Sequence, residues 1–203
     1  DFDAVIIRST WDYQQKEKLF FKTLQSIEAS TANLYNSLDT VKWNINKRYL
    51  LELERESISI IPTRLYNSFD FDIVSQLFSF FNENKLIIKP CVSANADDTF
   101  ILEQSKMENL KSVLENTFSQ KDFLVQPFIK NIKSEGEYSL IYFGNRLSHV
   151  LLKTPKNGDF RVQEEHGGIL KAIKKPESSL IDFGNKVMRK IPYECLYSRV
   201  DVV

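Results

Sequence analysis

Leu86-Ile87-Ile88-Lys89-Pro90 and Phe123-Leu124-Val125-Gln126-Pro127 are two short apolar runs that each close on a polar residue and a proline. Large and β-branched side chains over four residues read as strands, and a proline, which has no N–H for the ladder, stops each one. Lys89 is the cation at the tip of an otherwise apolar strand. A buried ammonium must find an anion or lose its proton, so this position suits a nucleotide phosphate or a purine nitrogen. A strand-end lysine reaching water accounts for the same letters. Two such strands meeting head to tail would frame a slot for a flat ring that carries phosphates.

Outward from this pair, residues 58–126 read as strand, helix, strand, strand, helix, strand: Ile58 to Ile61 stopped by Pro62, Phe69 to Phe81, Leu86 to Lys89, Thr99 to Leu102, Lys106 to Phe118 and Phe123 to Gln126. An irregular loop fills Cys91 to Asp98. Trp43 to Glu54 is expected to be one helix, with Trp43, Tyr49, Leu50 and Leu53 on its apolar side. Further upstream, Ala4 to Ile7 forms a strand that ends in Arg8-Ser9-Thr10-Trp11-Asp12-Tyr13, and Lys16 to Ala29 forms a helix. Downstream, Glu137 to Phe143 and Leu147 to Lys153 flank Gly144-Asn145, residues that tolerate positive φ and so predict a hairpin. Lys156 to Gly168 is a polar loop with three of the six glycines. Pro176 to Lys190 is a helix, and a last strand begins near Leu196. The economical arrangement is two α+β lobes with a slot between them.

Composition bounds the class. The chain has 203 residues, 42% of them hydrophobic, and 27 basic residues balance 27 acidic ones. It is long enough to bury a proper core, and zero net charge disfavours a nucleic-acid partner. No apolar run is long enough for a membrane-spanning helix, so no membrane partner is expected. Two cysteines make no disulfide framework, and a reducing cytoplasm is the simplest compartment. A start at Asp1 and an end at Val203 within a strand-like run lead us to expect a segment of a longer protein.

Several other groups are suited to chemistry, each with a plainer alternative. Lys47-Arg48 at a helix start opposes the macrodipole, which a bound phosphate would explain and solvent exposure explains nearly as well. Gln126-Pro127-Phe128-Ile129 could present backbone groups to an adenine edge, with Phe128 or Ile129 supplying the N–H that Pro127 lacks. An edge strand ending at a proline is the alternative. Glu135 and Glu137 share a face if the strand starts that early, and a carboxylate there could accept from ribose hydroxyls. Lys153, Asp159 and Arg161 bracket the glycine-containing loop, where an arginine would suit a transferring phosphoryl group. Asp201 between valines reads as a metal ligand or as the ion partner of Arg199. Cys91 with His166 is a thiol pair that nothing in the spacing favours. There is no P-loop, dinucleotide fingerprint, zinc spacing or nucleophile elbow.

The order of these signals is more specific than any one of them. Trp43…Asn46-Lys47-Arg48, Ile61-Pro62-Thr63, Ile87-Ile88-Lys89-Pro90, Val125-Gln126-Pro127-Phe128, Glu135-Gly136-Glu137-Tyr138-Ser139, Gly158-Asp159-Phe160-Arg161-Val162-Gln163, Gly167-Gly168 and Arg199-Val200-Asp201 follow one another along the chain. This series resembles the ATP-grasp superfamily, and within it the prokaryotic glutathione-synthetase-like branch that includes the D-cycloserine-forming ligase. The resemblance implies an α+β ATP-grasp fold with nucleotide between two lobes: residues 1–40 as the end of a preceding α/β domain, 41–126 as the small lobe and 127–203 as the C-terminal lobe.

It implies ATP and Mg²⁺ as cofactors, small-molecule carboxylate and amine substrates, and a ligase that activates an acid as its acyl phosphate; it also allows a homodimer. By the resemblance, Lys47 and Lys89 hold nucleotide phosphates, with Lys89 also near the adenine, Gln126, Pro127, Phe128 and Ile129 form the adenine hinge, and Glu137 binds ribose; in the glycine-free loop Ser93 and backbone N–H groups could serve the phosphates. Lys153 and Arg161 face the γ-phosphate or acyl phosphate, Asp201 binds magnesium, and the Arg8 to Tyr13 loop faces the acceptor substrate. Two departures stand out: Cys91 to Ala96 lacks the glycines of many relatives, and the further magnesium ligands would lie past Val203. The glycine-free loop is what favours the alternative of a catalytically inactive nucleotide-binding regulatory module.

Overall fold

A computed structural model describes residues 2–10, 12–156 and 167–203. The chain forms two units, Ile45–Ile129 and the pair of segments Asp1–Asn44 with Lys130–Val203.

In the Ile45–Ile129 unit, four antiparallel strands lie in the order β3 (Arg64–Tyr66), β6 (Phe123–Pro127), β4 (Lys85–Pro90) and β5 (Phe100–Glu103). The strands that carry Lys89 and Gln126 are thus antiparallel neighbours, with Ile87 opposite Gln126 and Lys89 opposite Leu124. Alternation sends Leu86, Ile88, Phe123 and Val125 to one face, where they meet Val74, Leu77, Phe78, Leu114 and Phe118. These come from α4 (Phe71–Phe81) and α5 (Lys111–Phe118). Phe118 and Phe123 lie 5.0 Å apart, ring to ring. Each such buried side chain contributes about 1.5–3 kcal/mol. Asp70 caps α4 by accepting from the Ile73 N–H, and Asn82 closes it in the left-handed conformation. Lys89 and Gln126 share the opposite face of the sheet.

Three expectations change here. The stretch Trp43 to Glu54 is two helices, α2 (Leu38–Ile45) and α3 (Tyr49–Arg55). Asn46 accepts from the Arg48 N–H, and the Lys47 N–H turns away to the Cys91 carbonyl, so the helical ladder breaks at Lys47. Ile58 to Ile61 is not a strand; Pro62 delays pairing until Arg64. Lys106 to Phe118 begins as a 3-10 helix over Gln104–Leu110 before α5.

The other unit holds two sheets. β1 (Ala4–Ile6) pairs in parallel with β2 (Asn33–Tyr35), a strand not anticipated, and α1 (Glu17–Glu28) connects them. The second sheet runs β10 (Tyr197–Val202), β7 (Glu137–Phe143), β8 (Arg146–Thr154) and β9 (Ile169–Ala172), all antiparallel. The expected hairpin is present, with Gly144 at φ 57°. Strand β9 was not foreseen. The short α6 (Asn131–Ser134) precedes β7, and α7 (Ser178–Met188) lies on one side of the sheet. A Cβ on Gly184 would stand 2.4 Å from the Tyr142 hydroxyl, so only glycine lets helix and sheet come this close. Leu140, Tyr142 and Val200 are buried on that side, and the Ser198 hydroxyl meets the Met188 sulfur there. Glu137, Ser139, Arg199 and Asp201 therefore occupy the other face.

Candidate functional site

In the Ile45–Ile129 unit the break between α2 and α3 aims Lys47 at the loop that follows β4. Its Nζ donates to the Ser93 carbonyl at 2.8 Å and to the Ser93 hydroxyl at 2.9 Å, and that hydroxyl reaches the Pro90 carbonyl. Burial pushes the Lys47 pKa down, the Lys89 charge adds to it, and the value falls to about 8. The Lys47 ammonium thus sits against a serine with its charged form disfavoured, a position that a bound anion would restore. Arg48 belongs to a different set: it donates to Asp122 at 2.8 Å and to Asn67 at 2.7 Å.

The loop itself solves its lack of glycine by strain. Asn95, Ala96 and Asp98 all take positive φ, at 52°, 61° and 50°. Such a conformation costs an L-residue roughly 1–2 kcal/mol, least for Asn and Asp. The Lys47–Ser93 bonds hold one end and the Asp98–Lys121 ion pair at 2.6 Å holds the other.

At the hinge, buried Gln126 donates to the Thr63 hydroxyl at 2.9 Å, and Thr63 in turn bonds the Ile61 carbonyl. The Phe128 N–H is spent on the Lys85 carbonyl at 3.1 Å, which leaves that of Ile129 as the candidate donor to a base edge.

In the second unit, Glu137, Lys153 and Asp201 are brought together by register. Glu137 lies opposite Lys153 on β8, and Asp201 on β10 lies opposite Ser139 on β7. Lys153 Nζ donates to Glu137 at 3.0 Å and to Asp201 Oδ1 at 3.4 Å. Arg199 takes the other Asp201 oxygen at 3.0 and 2.9 Å, and Ser139 donates to Oδ1. Burial alone would raise the Asp201 pKa, but Arg199, Lys153 and Ser139 outweigh it and hold the carboxyl below its ordinary range. Gly136 sits at φ 88°, and a Cβ there would stand 2.4 Å from the Lys153 carbonyl, so the start of β7 requires glycine. Glu135 is not on this face: it ends α6, accepts from the Asn131 amide at 3.1 Å and precedes the strand.

Cys91, which nothing in the spacing pairs with His166, is buried, and burial raises its pKa to about 11. Asp159, Arg161 and His166 lie outside the described residues. Sequence reasoning treated Arg199 only as an ion partner of Asp201. The signal that it belongs to the charged face was its i, i+2 spacing, which becomes decisive only once the strand's facing is known.

The profile of the prokaryotic glutathione synthetase ATP-grasp domain matches residues 63–190, more than half of the chain. The chain belongs to this ATP-grasp family. A second profile, the N-terminal domain of D-cycloserine synthetase DcsG, matches residues 1–36. The cycloserine biosynthesis protein DcsG of Streptomyces lavendulae is 23% identical over 157 residues, which cover 75% of this chain and 52% of that protein. The chain thus spans about half the length of this curated relative. A crystal structure of D-cycloserine synthetase DcsG matches with a TM-score of 0.86 at 19% identity, over 100% of this chain and 71% of the other. A RimK domain ATP-grasp protein from Sphaerobacter thermophilus follows at 0.74 and 14%, over 100% and 69%. A D-alanine–D-alanine ligase from Bacillus anthracis gives 0.63 and 16%, over 96% and 69%. The fold is therefore the α+β ATP-grasp fold.

Among the described residues no three His, Cys, Asp or Glu side chains gather where a metal ion could sit. Asp201 could give Mg²⁺ one carboxylate, but both its oxygens are engaged by cations, so the described residues alone do not make a magnesium site. Nor is any described helix long and apolar enough to cross a membrane.

Proposed function

We propose that this chain is the ATP-binding portion of a carboxylate–amine ligase, with residues 1–40, 41–126 and 127–203 as the end of a preceding domain and the two ATP-grasp lobes. The observation that carries the reading is Lys47, whose ammonium rests on the Ser93 carbonyl and hydroxyl and whose charge is disfavoured by burial and by Lys89, so that a phosphate there would favour the charged form. Lys47, Lys89 and Ser93 hold nucleotide phosphates; Gln126 to Ile129 receive the adenine, with the Ile129 N–H as donor; Glu137 accepts from ribose. In the first step a carboxylate oxygen of the acid attacks the γ-phosphorus of ATP, ADP leaves, and an acyl phosphate forms. In the second, an amine nitrogen attacks the acyl carbon, inorganic phosphate leaves, and the nitrogen gives up a proton. Lys153 and Arg161, joined by Arg199, meet the negative charge on the transferring group. Mg²⁺ would shield the phosphate charges, and Asp201 would be one of its ligands once a carboxylate oxygen is released from Lys153 or Arg199. Small-molecule acid and amine substrates and a cytoplasmic location complete the proposal.

The glycine-free loop no longer favours an inactive module, because Asn95, Ala96 and Asp98 already adopt the left-handed conformations that glycine would otherwise supply. The test is thermal. Mg-ADP should raise the Tm of the protein, and Lys89→Ala should abolish that rise while the ligand-free variant stays folded. A rise that survives in the variant puts the site elsewhere. Phosphate release from ATP stimulated by carboxylic acids then separates ligase from binding module; nucleotide binding without any acid-dependent turnover would sink the ligase reading.

A further inference from the structure

Gln126 and Thr63 form a buried relay near the end of β6. Gln126 is 5% exposed and Thr63 3%. The Thr63 hydroxyl donates to the Ile61 carbonyl at 2.6 Å, across Pro62, whose ring locks one of the dihedrals between them. A hydroxyl has one hydrogen, so this bond leaves Thr63 Oγ1 able only to accept. The Gln126 amide must therefore turn its NH₂ towards Thr63, and its Nε2 donates there at 2.9 Å. The chemistry of the partner thus fixes which end of the amide faces which way.

The other end of the amide is open. Among the described residues nothing donates to Gln126 Oε1, and this oxygen is not sealed in the interior. It belongs to the face of the sheet that also carries Ile87 and Lys89, both only half-buried, whereas Leu86 and Ile88 on the core side are fully buried. Turning the amide over would set Oε1 against the lone pairs of Thr63. Alternatively it would draw the hydroxyl off the Ile61 carbonyl and leave that carbonyl unpaired. The relay therefore holds an acceptor, and not a donor, at the open end of a side chain that is otherwise buried.

Resting on the nucleotide-binding reading above, we propose that Thr63 is a positioning residue for base selection: through the Gln126 amide it makes the site accept a hydrogen bond from the 6-position of the purine. A 6-aminopurine offers an N–H there and an acceptor at N1, which suits Gln126 Oε1 together with the Ile129 N–H. A 6-oxopurine inverts both, placing oxygen against oxygen and N–H against N–H, and in a buried site such mismatches go uncompensated. ATP is then told apart from GTP and ITP by a residue that does not itself touch the base.

ADP and IDP differ only at this edge, so their Mg complexes are the probes, and the readout is the ratio of their dissociation constants by calorimetry. The unaltered protein should hold ADP about 10- to 100-fold more tightly than IDP, the usual consequence of leaving buried polar groups unpaired. Thr63→Ser keeps the hydroxyl and should keep the ratio. Thr63→Val keeps the shape but frees the amide to turn over, and should lower the ratio about 5- to 10-fold, the remainder resting on the Ile129 N–H. A merely structural Thr63 would weaken both nucleotides alike, and a ratio unchanged in Thr63→Val overturns the relay. Gln126→Met, which has no amide to orient, covers the case of a Thr63→Val that does not fold: it should lower the ratio as far, and a ratio preserved there overturns the proposal. Equal affinity for ADP and IDP in the unaltered protein overturns base selection while nucleotide binding stands. Absence of any Mg-ADP thermal shift in the unaltered protein overturns the nucleotide-binding reading itself, and base selection with it.

Discussion

Lys47 and Lys153 are both lysines drawn out of bulk water, yet their surroundings neutralise them in opposite ways. Lys47 donates to the hydroxyl and carbonyl of Ser93, neutral acceptors, and feels the positive charge of Lys89. Lys153 lies between Glu137 and Asp201. In the first arrangement the Lys47 ammonium rests on neutral acceptors, so an anion beside it would favour its charged form. The second is already balanced, so it responds only to a group whose charge grows enough to draw the ammonium from its carboxylates. One suits ground-state binding of phosphates, the other suits the charge that develops as a phosphoryl group transfers.

The strongest way to break this comparison is Lys153→Met. Acid-stimulated turnover should fall about 10²- to 10³-fold, the usual loss when one donor to developing charge is removed. The Mg-ADP thermal shift should hold nearly constant. If nucleotide binding falls as far as turnover, Lys153 is a ground-state binder and the contrast with Lys47 disappears.

The next test uses pH, because the two regions titrate on opposite sides of neutrality. The Lys47 pKa is depressed to about 8 by burial and by Lys89. The unfolded chain therefore holds a proton that the folded chain releases between about pH 8 and the ordinary lysine value. Ligand-free stability should rise across that window, by about 1.4 kcal/mol per pH unit at most. A bound phosphate favours the charged form, so nucleotide affinity should fall over the same range, up to about tenfold per pH unit. Tm measured with and without Mg-ADP from pH 7 to 9.5 reads both slopes. Lys47→Met should flatten both. Slopes of the same sign would show that Lys47 does not meet the nucleotide.

Asp201 gives a smaller effect at the acid end. Its carboxyl is held low by Arg199, Lys153 and Ser139 against the burial that would raise it. Its contribution is therefore complete above the ordinary aspartate value and lost as pH falls through the lowered one. About a third of the side chain is exposed, so solvent screening keeps the contribution modest. Asp201→Asn should shallow the acid limb of the stability profile below about pH 4 and leave the alkaline limb untouched. An unchanged acid limb would mean that the network is not holding this carboxylate.

How much of this was legible beforehand depends on the distance over which each feature is decided. The strands carrying Lys89 and Gln126 were readable because apolar runs ended by proline are local signals. So was the hairpin at Gly144-Asn145. The facing of Lys153, Asp201 and Arg199 was not, because three strands distant in sequence share it and only register settles it. Strands β2 and β9 are short, β9 is exposed along its length, and neither bears the hydrophobic alternation that announces a strand. The break at Lys47 was invisible for a related reason: the Cys91 carbonyl that captures its N–H lies 44 residues away. Gln126 was correctly placed at the strand end, but its bond to Thr63 was not foreseeable from either residue's neighbours.

The finest distinction lies in the loop that Lys47 holds. Ala96 takes φ 61° without the local side-chain hydrogen bonding that lets Asn95 and Asp98 tolerate the same region. Replacing it with glycine removes a steric cost of roughly 1–2 kcal/mol but frees the unfolded chain, which returns about 0.5–1 kcal/mol of that gain. The net expectation for Ala96→Gly is a stabilisation of about 0.5–1 kcal/mol by denaturant unfolding. Asn95→Gly should give less, and Asp98→Gly should lose stability because it also removes the Lys121 ion pair. If the loop owes its shape to its two tethers, nucleotide affinity in Ala96→Gly stays within about twofold of the parent, since Lys47 still holds Ser93. A drop well beyond that would mean that the strained alanine, rather than the lysine, keeps the loop ready for phosphate. The contrast between the Lys47 region, fixed by charge, and the Lys153 region, poised by charge balance, would then need a third element, backbone stiffness.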